Sequence, residues 1–175
     1  ETGRHSEGLR SLYQIKAEYP YWTEPRALIA TTLMSLGRPD QAMPEIDTAL
    51  MLKPYQQEFH INRYNALRQQ RHHDSALHHI QEALDIWPDE PTIRIDYMYG
   101  LYQTGKLEQA LAVADSLLTE DSRAAHAYAL KGMVAERTGS LAEAARFYQQ
   151  FLEIAPLDPD AQAVRRRLDA IKSRL

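Results

Sequence analysis

The sequence predicts an all-α fold, a right-handed α-solenoid of antiparallel helix pairs with 34-residue repeats. Proline sets the period: Pro20, Pro54, Pro88 and Pro156 fall on one 34-residue grid, and its remaining slot holds Ser122. Twelve residues before each slot stands a small residue, Gly8, Ala42, Ala76, Ala110 or Ala144. Seventeen before stand Gly37, Gly105 and Gly139, with Arg71 as the exception. Residue classes kept in phase over several copies mark stacked supersecondary units, none of which can bury its apolar face alone.

Taken in chain order, residues 1–22 read as a half repeat, the second helix only, since Gly8, Leu12, Ile15 and Pro20 match the later copies and nothing precedes them. A missing partner helix predicts an open edge, with Leu9, Leu12 and Tyr13 exposed on it, and either a chain that continues upstream or a surface that docks another chain. Four repeats follow at 23–56, 57–90, 91–124 and 125–158, in one continuous solenoid domain. In the first, Ala27, Leu28, Ala30, Leu33 and Met34 recur near the helical period. Gly37 should end that helix in the left-handed conformation that costs glycine no Cβ clash. Asp40 and Asp74 are expected to cap the second helices, and Pro44 to fall in a first turn, where backbone N–H groups have no intrahelical partner. Lys53-Pro54 closes the unit, because proline disfavours α geometry in the residue before it. Ala42, Ala76, Ala110 and Ala144 are the expected points of close helix approach, one per pair. Pro159 opens a capping helix over 159–175, with Ala163, Val164, Leu168 and Ile171 inward and Arg165, Arg166, Arg167, Lys172 and Arg174 outward.

Composition narrows the chemistry. The 175 residues are 44% hydrophobic and 25% charged, with 20 Lys+Arg against 24 Asp+Glu, so no global basic field invites nucleic acid. There is no cysteine, which removes disulfides, thiolate metal sites and cysteine nucleophiles. No apolar run approaches the roughly 20 residues of a membrane span. Phosphate-cradling loops and catalytic signatures are absent; Asp89/Glu90 and Glu120/Asp121 fall in expected turns, where nothing would desolvate them. No catalytic residue and no cofactor is therefore expected. His72, His73, His78 and His79 lie within eight residues, with His60 one helix away. Imidazoles ligate zinc, copper or nickel. However, His72 and His73 belong to a turn, and His78 and His79 point about 100° apart on their helix, so at most a pair such as His73 and His78 would share an ion. The plainer reading is an exposed polar face, and no metal site is assigned. The C-terminal arginines likewise read as a solvated cap, with binding to acidic partners as the alternative.

The 34-residue period, the mid-repeat glycine, the second-helix alanine and the closing proline together resemble the tetratricopeptide repeat family over nearly the whole chain. The unit 125–158 fits best, through Tyr128, Gly132, Gly139, Ala144, Tyr148 and Pro156. Tyr64 and Met98 depart from it where a small residue is usual, and Arg26, His60 and Arg94 replace the large aromatic near the repeat start. The resemblance implies a groove lined by first helices that holds a polypeptide. Along it Asn62, Asn65 and Arg68 follow helical spacing, continued by Ile95, Tyr99 and Tyr102 and by Met133. Asparagine can both donate to and accept from a backbone amide, and tyrosine gives stiff contact area with a polar tip. The alternative for the tyrosines is that they fill space between helices. The family's carboxylate clamp needs a lysine and an asparagine where this chain has Ala27 and Thr31, and its other basic places hold Thr92 and Asp96, so a C-terminal carboxylate is not the expected ligand. The expectation is a non-catalytic interaction scaffold with a protein or peptide ligand and a homodimer through the N-terminal edge. The alternative is a regulatory or targeting domain of a larger enzyme or envelope assembly complex.

Overall fold

The computed structural model describes residues 2–175, with side chains from residue 6 onward. Every secondary-structure element among them is a helix. The chain divides into two compact units, Glu1–Pro88 and Asp89–Leu175. The first contains α1 (Thr2–Glu18), α2 (Glu24–Ser35), α3 (Pro39–Leu52), α4 (Gln57–Gln69) and α5 (His73–Ile86). The second contains α6 (Pro91–Gln103), α7 (Leu107–Glu120), α8 (Ala125–Thr138), α9 (Leu141–Ile154) and α10 (Ala161–Lys172). Within each unit consecutive helices pack on one another, and α2 also touches α4, as α6 touches α8.

One backbone device ends the first helix of each pair. Gly37, Arg71, Gly105 and Gly139 all have positive φ, between 62° and 87°. In each case the next residue donates back to a carbonyl five residues earlier: Arg38 to Leu33, His72 to Leu67, Lys106 to Leu101 and Ser140 to Ala135, at 2.8–2.9 Å. This is the Schellman closure, which satisfies carbonyls that the helix end would leave orphaned. Arg71, the exception in sequence, adopts the same left-handed geometry at the cost of its Cβ.

The small residues lie where the packing needs them. Ala42, Ala110 and Ala144 are fully buried and Ala76 nearly so. Gly132 on α8 faces Tyr148 on α9 so closely that a Cβ there would sit 2.5 Å from the ring. Tyr64 and Met98, the two large residues at Gly132's repeat position, are buried too. The residue sixteen further on varies as well: Tyr148 opposite Gly132, Ala114 in the repeat of Met98. The replaced aromatic is also explained. Tyr128 donates its hydroxyl to the Ser122 carbonyl six residues back (3.1 Å), while Arg26 donates to the Pro20 carbonyl (3.0 Å) and His60 meets the Pro54 carbonyl (2.8 Å). Three different side chains thus tie a helix start to the turn preceding it.

Several local expectations are corrected. Ile29, not Leu28, faces the core of α2; Leu28 is 55% exposed. Asp40 lies inside the first turn of α3 and makes no cap bond; its Oδ1 instead accepts from Gln70 Nε2 at 2.7 Å. Asp74 likewise lies in the first turn of α5, with His72 at the N-cap position. Pro44 falls inside α3, beyond its first turn. Its missing N–H leaves the Asp40 carbonyl without that intrahelical bond. At the N-terminal edge Leu9 is buried against α2 and Leu12 half-buried, leaving Tyr13 as the exposed member of that trio. The last helix begins at Ala161, and Ala161 rather than Ala163 joins Val164, Leu168 and Ile171 inside. Of its arginines, Arg167 is held by Glu136 at 2.9 Å.

Candidate functional site

In unit 1 the predicted binding residues lie on α4. Asn62 is only 7% exposed, and its Nδ2 is buried without a hydrogen-bond partner. Asn65 is half-buried and accepts from Arg68 Nη2 at 3.3 Å, while Arg68 lies over the Tyr64 ring at 5.9 Å. Asn62 therefore keeps a spare donor, whereas Asn65 already spends its acceptor on the neighbouring arginine. Toward the start of the same helix, Ala27, Leu28 and Phe59 form the apolar part of a cavity of about 290 Å³, with Glu24, Lys53, Gln56 and Glu58 around it. Lys53 bridges to Glu24 at 2.9 Å and holds that carboxyl below its usual range.

In unit 2 the tyrosines are engaged rather than free-standing. Tyr99 approaches His126 edge-on, with its hydroxyl 3.4 Å from Nδ1. His126 in turn packs edge-on against Phe151 and lies 3.5 Å from Asp158. Tyr102 is covered by the Arg137 guanidinium at 5.6 Å, and Arg137 also donates to the Tyr102 carbonyl at 3.3 Å. Ile95, Tyr99, Tyr102 and Met133 are all half-buried, so each tyrosine both fills space between α6 and α8 and keeps a solvent-facing part. Glu136 gathers Tyr148 (2.7 Å) and Arg167 (2.9 Å), and burial, then this carboxylate, push the Tyr148 hydroxyl well above its ordinary pKa.

The fold divides the histidines of the run 72–79 between surface and core. His78 is exposed and His72 sits at the start of α5, but His79 is buried. The His79 ring stacks on His60, with centroids 5.1 Å apart and planes 5° from parallel, and His60 meets Trp87 edge-on. Arg63 Nη1 approaches His79 Nδ1 at 3.1 Å, so that nitrogen is the acceptor and Nε2 carries the proton. That Nε2, like His60 Nδ1, is buried without a partner. Burial first, then the Arg63 charge and then His60, pull the His79 pKa down to about 4. An exposed polar face is thus correct for His78 and wrong for His79. Among the described residues no three His, Asp or Glu side chains converge as a metal-holding group. Sequence spacing singled out the run 72–79, but the pair the fold assembles is His60 with His79, nineteen residues apart.

Residues 99–159 match the tetratricopeptide repeat family profile. Those residues carry tetratricopeptide repeat sequence. TTC0263, a tetratricopeptide repeat protein from Thermus thermophilus, superimposes with a TM-score of 0.75 at 20% identity, over 97% of this chain and 91% of that one. A tetratricopeptide repeat protein from Parabacteroides merdae gives a TM-score of 0.78 at 14% identity, over 98% of this chain and 66% of that one. YrrB, described as a tetratricopeptide repeat protein with an unusual peptide-binding site, gives 0.62 at 16% identity, over 93% and 82%. No curated protein is significantly similar in sequence. Identities this low establish the all-α repeat fold. Among the described residues no helix is long and apolar enough to cross a membrane.

Proposed function

We propose that this chain is a non-catalytic interaction scaffold that holds a polypeptide against its first helices, using Asn62, Asn65 and Arg68 in unit 1 and Ile95, Tyr99, Tyr102 and Met133 in unit 2. The observation that carries the proposal is Asn62: a side-chain amide more than nine-tenths buried, with a donor that no protein group satisfies. Leaving such a donor unpaired costs about 1–3 kcal/mol, which a backbone carbonyl from a ligand would recover. The exposed Leu28 and the cavity over Ala27 and Phe59 add apolar contact near the start of α4. Repeat proteins of this fold serve in protein binding, and the peptide-binding site named for YrrB is in keeping with that use. The absence of a clamp at Ala27 and Thr31, with Glu24 and Glu58 nearby, favours an internal segment over a C-terminal carboxylate. Self-association at the α1 edge would use Tyr13 with Tyr19, Tyr21 and Trp22, the exposed aromatic residues there, instead of Leu9 and Leu12.

A displayed library of random internal peptides, selected on the full chain, tests the reading. Selected sequences should lose at least tenfold in affinity against Asn62→Leu, a near-isosteric change that keeps the core filled. Peptides that bind Asn62→Leu and the parent equally would refute the role given to Asn62. Selection of sequences only through a free C-terminal carboxylate would refute the internal-segment reading.

A further inference from the structure

Two turns at one end of unit 1 are built alike. In Tyr19-Pro20-Tyr21-Trp22 and in Lys53-Pro54-Tyr55-Gln56 the last N–H donates to the first carbonyl, at 3.1 Å and 3.2 Å, with proline second and tyrosine third. Proline presets the backbone angle that the second place of such a turn requires. Arg26 Nη2 fixes the first turn further by donating to the Pro20 carbonyl at 3.0 Å. On these rigid turns Tyr21 and Tyr55 stand 82% and 78% exposed. Tyr19 and Trp22, each about half exposed, meet edge-on with planes 89° apart, so their rings form a right-angled notch at the surface.

The fold does not demand these rings. The same hydrogen-bonded turn recurs at 121–124 and 155–158 in unit 2, where its third place holds Arg123 and Leu157 and its fourth Ala124 and Asp158. In unit 1 the two turns flank the cavity of about 290 Å³ over Ala27 and Phe59, because Lys53 on the second bonds Glu24, just after the first, at 2.9 Å. Lys16, Arg26 and Lys53, the cations nearest the turns in sequence, are all paired with carboxylates, Glu45 or Glu24. Among the described residues Glu18 and Glu58 have no cation partner, and Glu58 lines the cavity. An aromatic edge with spare carboxylates disfavours an anionic lipid surface and favours a basic polypeptide. The spacing of the turns adds a second criterion. α2 and α4, which begin just after them, touch, and packed helices lie about 8–10 Å apart. A polyproline II helix advances about 9 Å per turn of three residues, so one of its faces meets Tyr21 and Tyr55 in step.

We propose that this edge of unit 1 binds a proline-rich, basic segment of a partner polypeptide in the polyproline II conformation. One prolyl ring sits in the Tyr19–Trp22 notch, the next turn of the segment lies on Tyr55, and a basic side chain between them meets Glu58. Proline offers an apolar ring and a carbonyl but no N–H, and the edge supplies flat rings with an indole N–H and phenol hydroxyls as donors. The segment is extended before it binds, so little ordering entropy is lost. The proposal names a partner chemistry for the scaffold role given above and rests on that reading, without using Asn62.

The test titrates the full chain, carrying isotope-labelled tryptophan, with an acetylated and amidated oligoproline peptide that has a central arginine. The indole N–H signal of Trp22 locates binding, and calorimetry gives the affinity. That signal should shift saturably, with a dissociation constant on the order of 100 micromolar. Trp22→Ala and Tyr55→Ala, both at exposed positions, should each weaken binding by about fivefold or more. The same peptide with alanine for proline, or with glutamate for the central arginine, should also bind at least about fivefold more weakly. No saturable shift at Trp22, parent affinity in either variant, or equal affinity for either altered peptide would overturn the proposal. So would a Trp22 signal that moves with protein concentration and not with peptide, which would give the surface to a second copy. The library selection turns on Asn62 and this titration on Trp22 and Tyr55, so the two readings fail separately.

Discussion

Acidification should unfasten unit 1 through a single buried histidine. His79 is 5% exposed, and its pKa of about 4 lies well below the ordinary 6.5. Arg63 and His60 face it from α4 and Glu82 from its own helix, while Asp47 on α3 holds Arg63 in place. Between pH 6.5 and 4 the unfolded chain takes up a proton at this ring that the folded chain refuses. The stability owed to the neutral ring is therefore complete above pH 6.5 and is lost as pH falls toward 4. At about pH 4.5 most of that stability is gone, on the order of 2–3 kcal/mol. The assay is urea unfolding followed by tryptophan fluorescence, because both tryptophans, Trp22 and Trp87, belong to unit 1. The comparison is with His79→Asn, which keeps an acceptor near Nδ1 for Arg63 and cannot titrate. Between about pH 7 and pH 4.5 the parent should lose about 2–3 kcal/mol more than the variant. Equal losses in the two proteins would refute the assignment of a buried, neutral His79.

Four further outcomes follow from the packing and the backbone. Gly132→Ala places a Cβ 2.5 Å from the Tyr148 ring and should cost on the order of 1–3 kcal/mol in thermal or urea unfolding. Gly8→Ala on α1 meets nothing within 4 Å and should be neutral or stabilise by about 0.5–1 kcal/mol in the same assay. Ala110→Leu, at a fully buried position, should overpack the α6–α7 pair by about 1–3 kcal/mol, and melting curves equal to the parent's would contradict the helix register. Arg71→Gly relieves a left-handed residue with φ of 62° and should raise stability by about 1 kcal/mol by chemical denaturation.

Much of the fold was legible because it rests on backbone punctuation that few residues can supply. Gly37, Gly105 and Gly139 close their helices in the left-handed conformation that their spacing implied, and the second helices start 34 residues apart, at Pro39, His73, Leu107 and Leu141. Arg71 shows the limit of that reasoning, since the motif's geometry persists without its residue. Which face of a helix points inward was less legible where neighbours are equally apolar. Leu28 and Ile29 are adjacent and about equally hydrophobic, and only packing sends Ile29 inward. Asp40 looked like a cap because aspartate often caps, but the N-cap position of α3 belongs to Arg38, two residues earlier. Pro44 was misplaced by the same shift.

The candidate site was less legible than the fold, for a physical reason. Helical spacing tells which side chains share a face, not which of them find partners on the next helix. Asn62 and Asn65 read alike in sequence, yet Asn65 meets Arg68 and Asn62 is left with an unpaired donor. Tyr99 and Tyr102 read as open contact area, yet His126 and Arg137 already lean on them. The His60–His79 stack spans two helices and had no local signature, although His60's place at the replaced aromatic position hinted that its ring would be turned inward.

The central claim, that the chain holds a polypeptide on its first helices, is tested most directly by affinity capture from the source organism's lysate. The full chain is compared with an Asn65→Ala/Tyr99→Ala/Tyr102→Ala variant whose helicity matches the parent. The account predicts a protein captured by the parent and lost by the variant. Equal capture by both would contradict it and move the binding surface elsewhere on the chain.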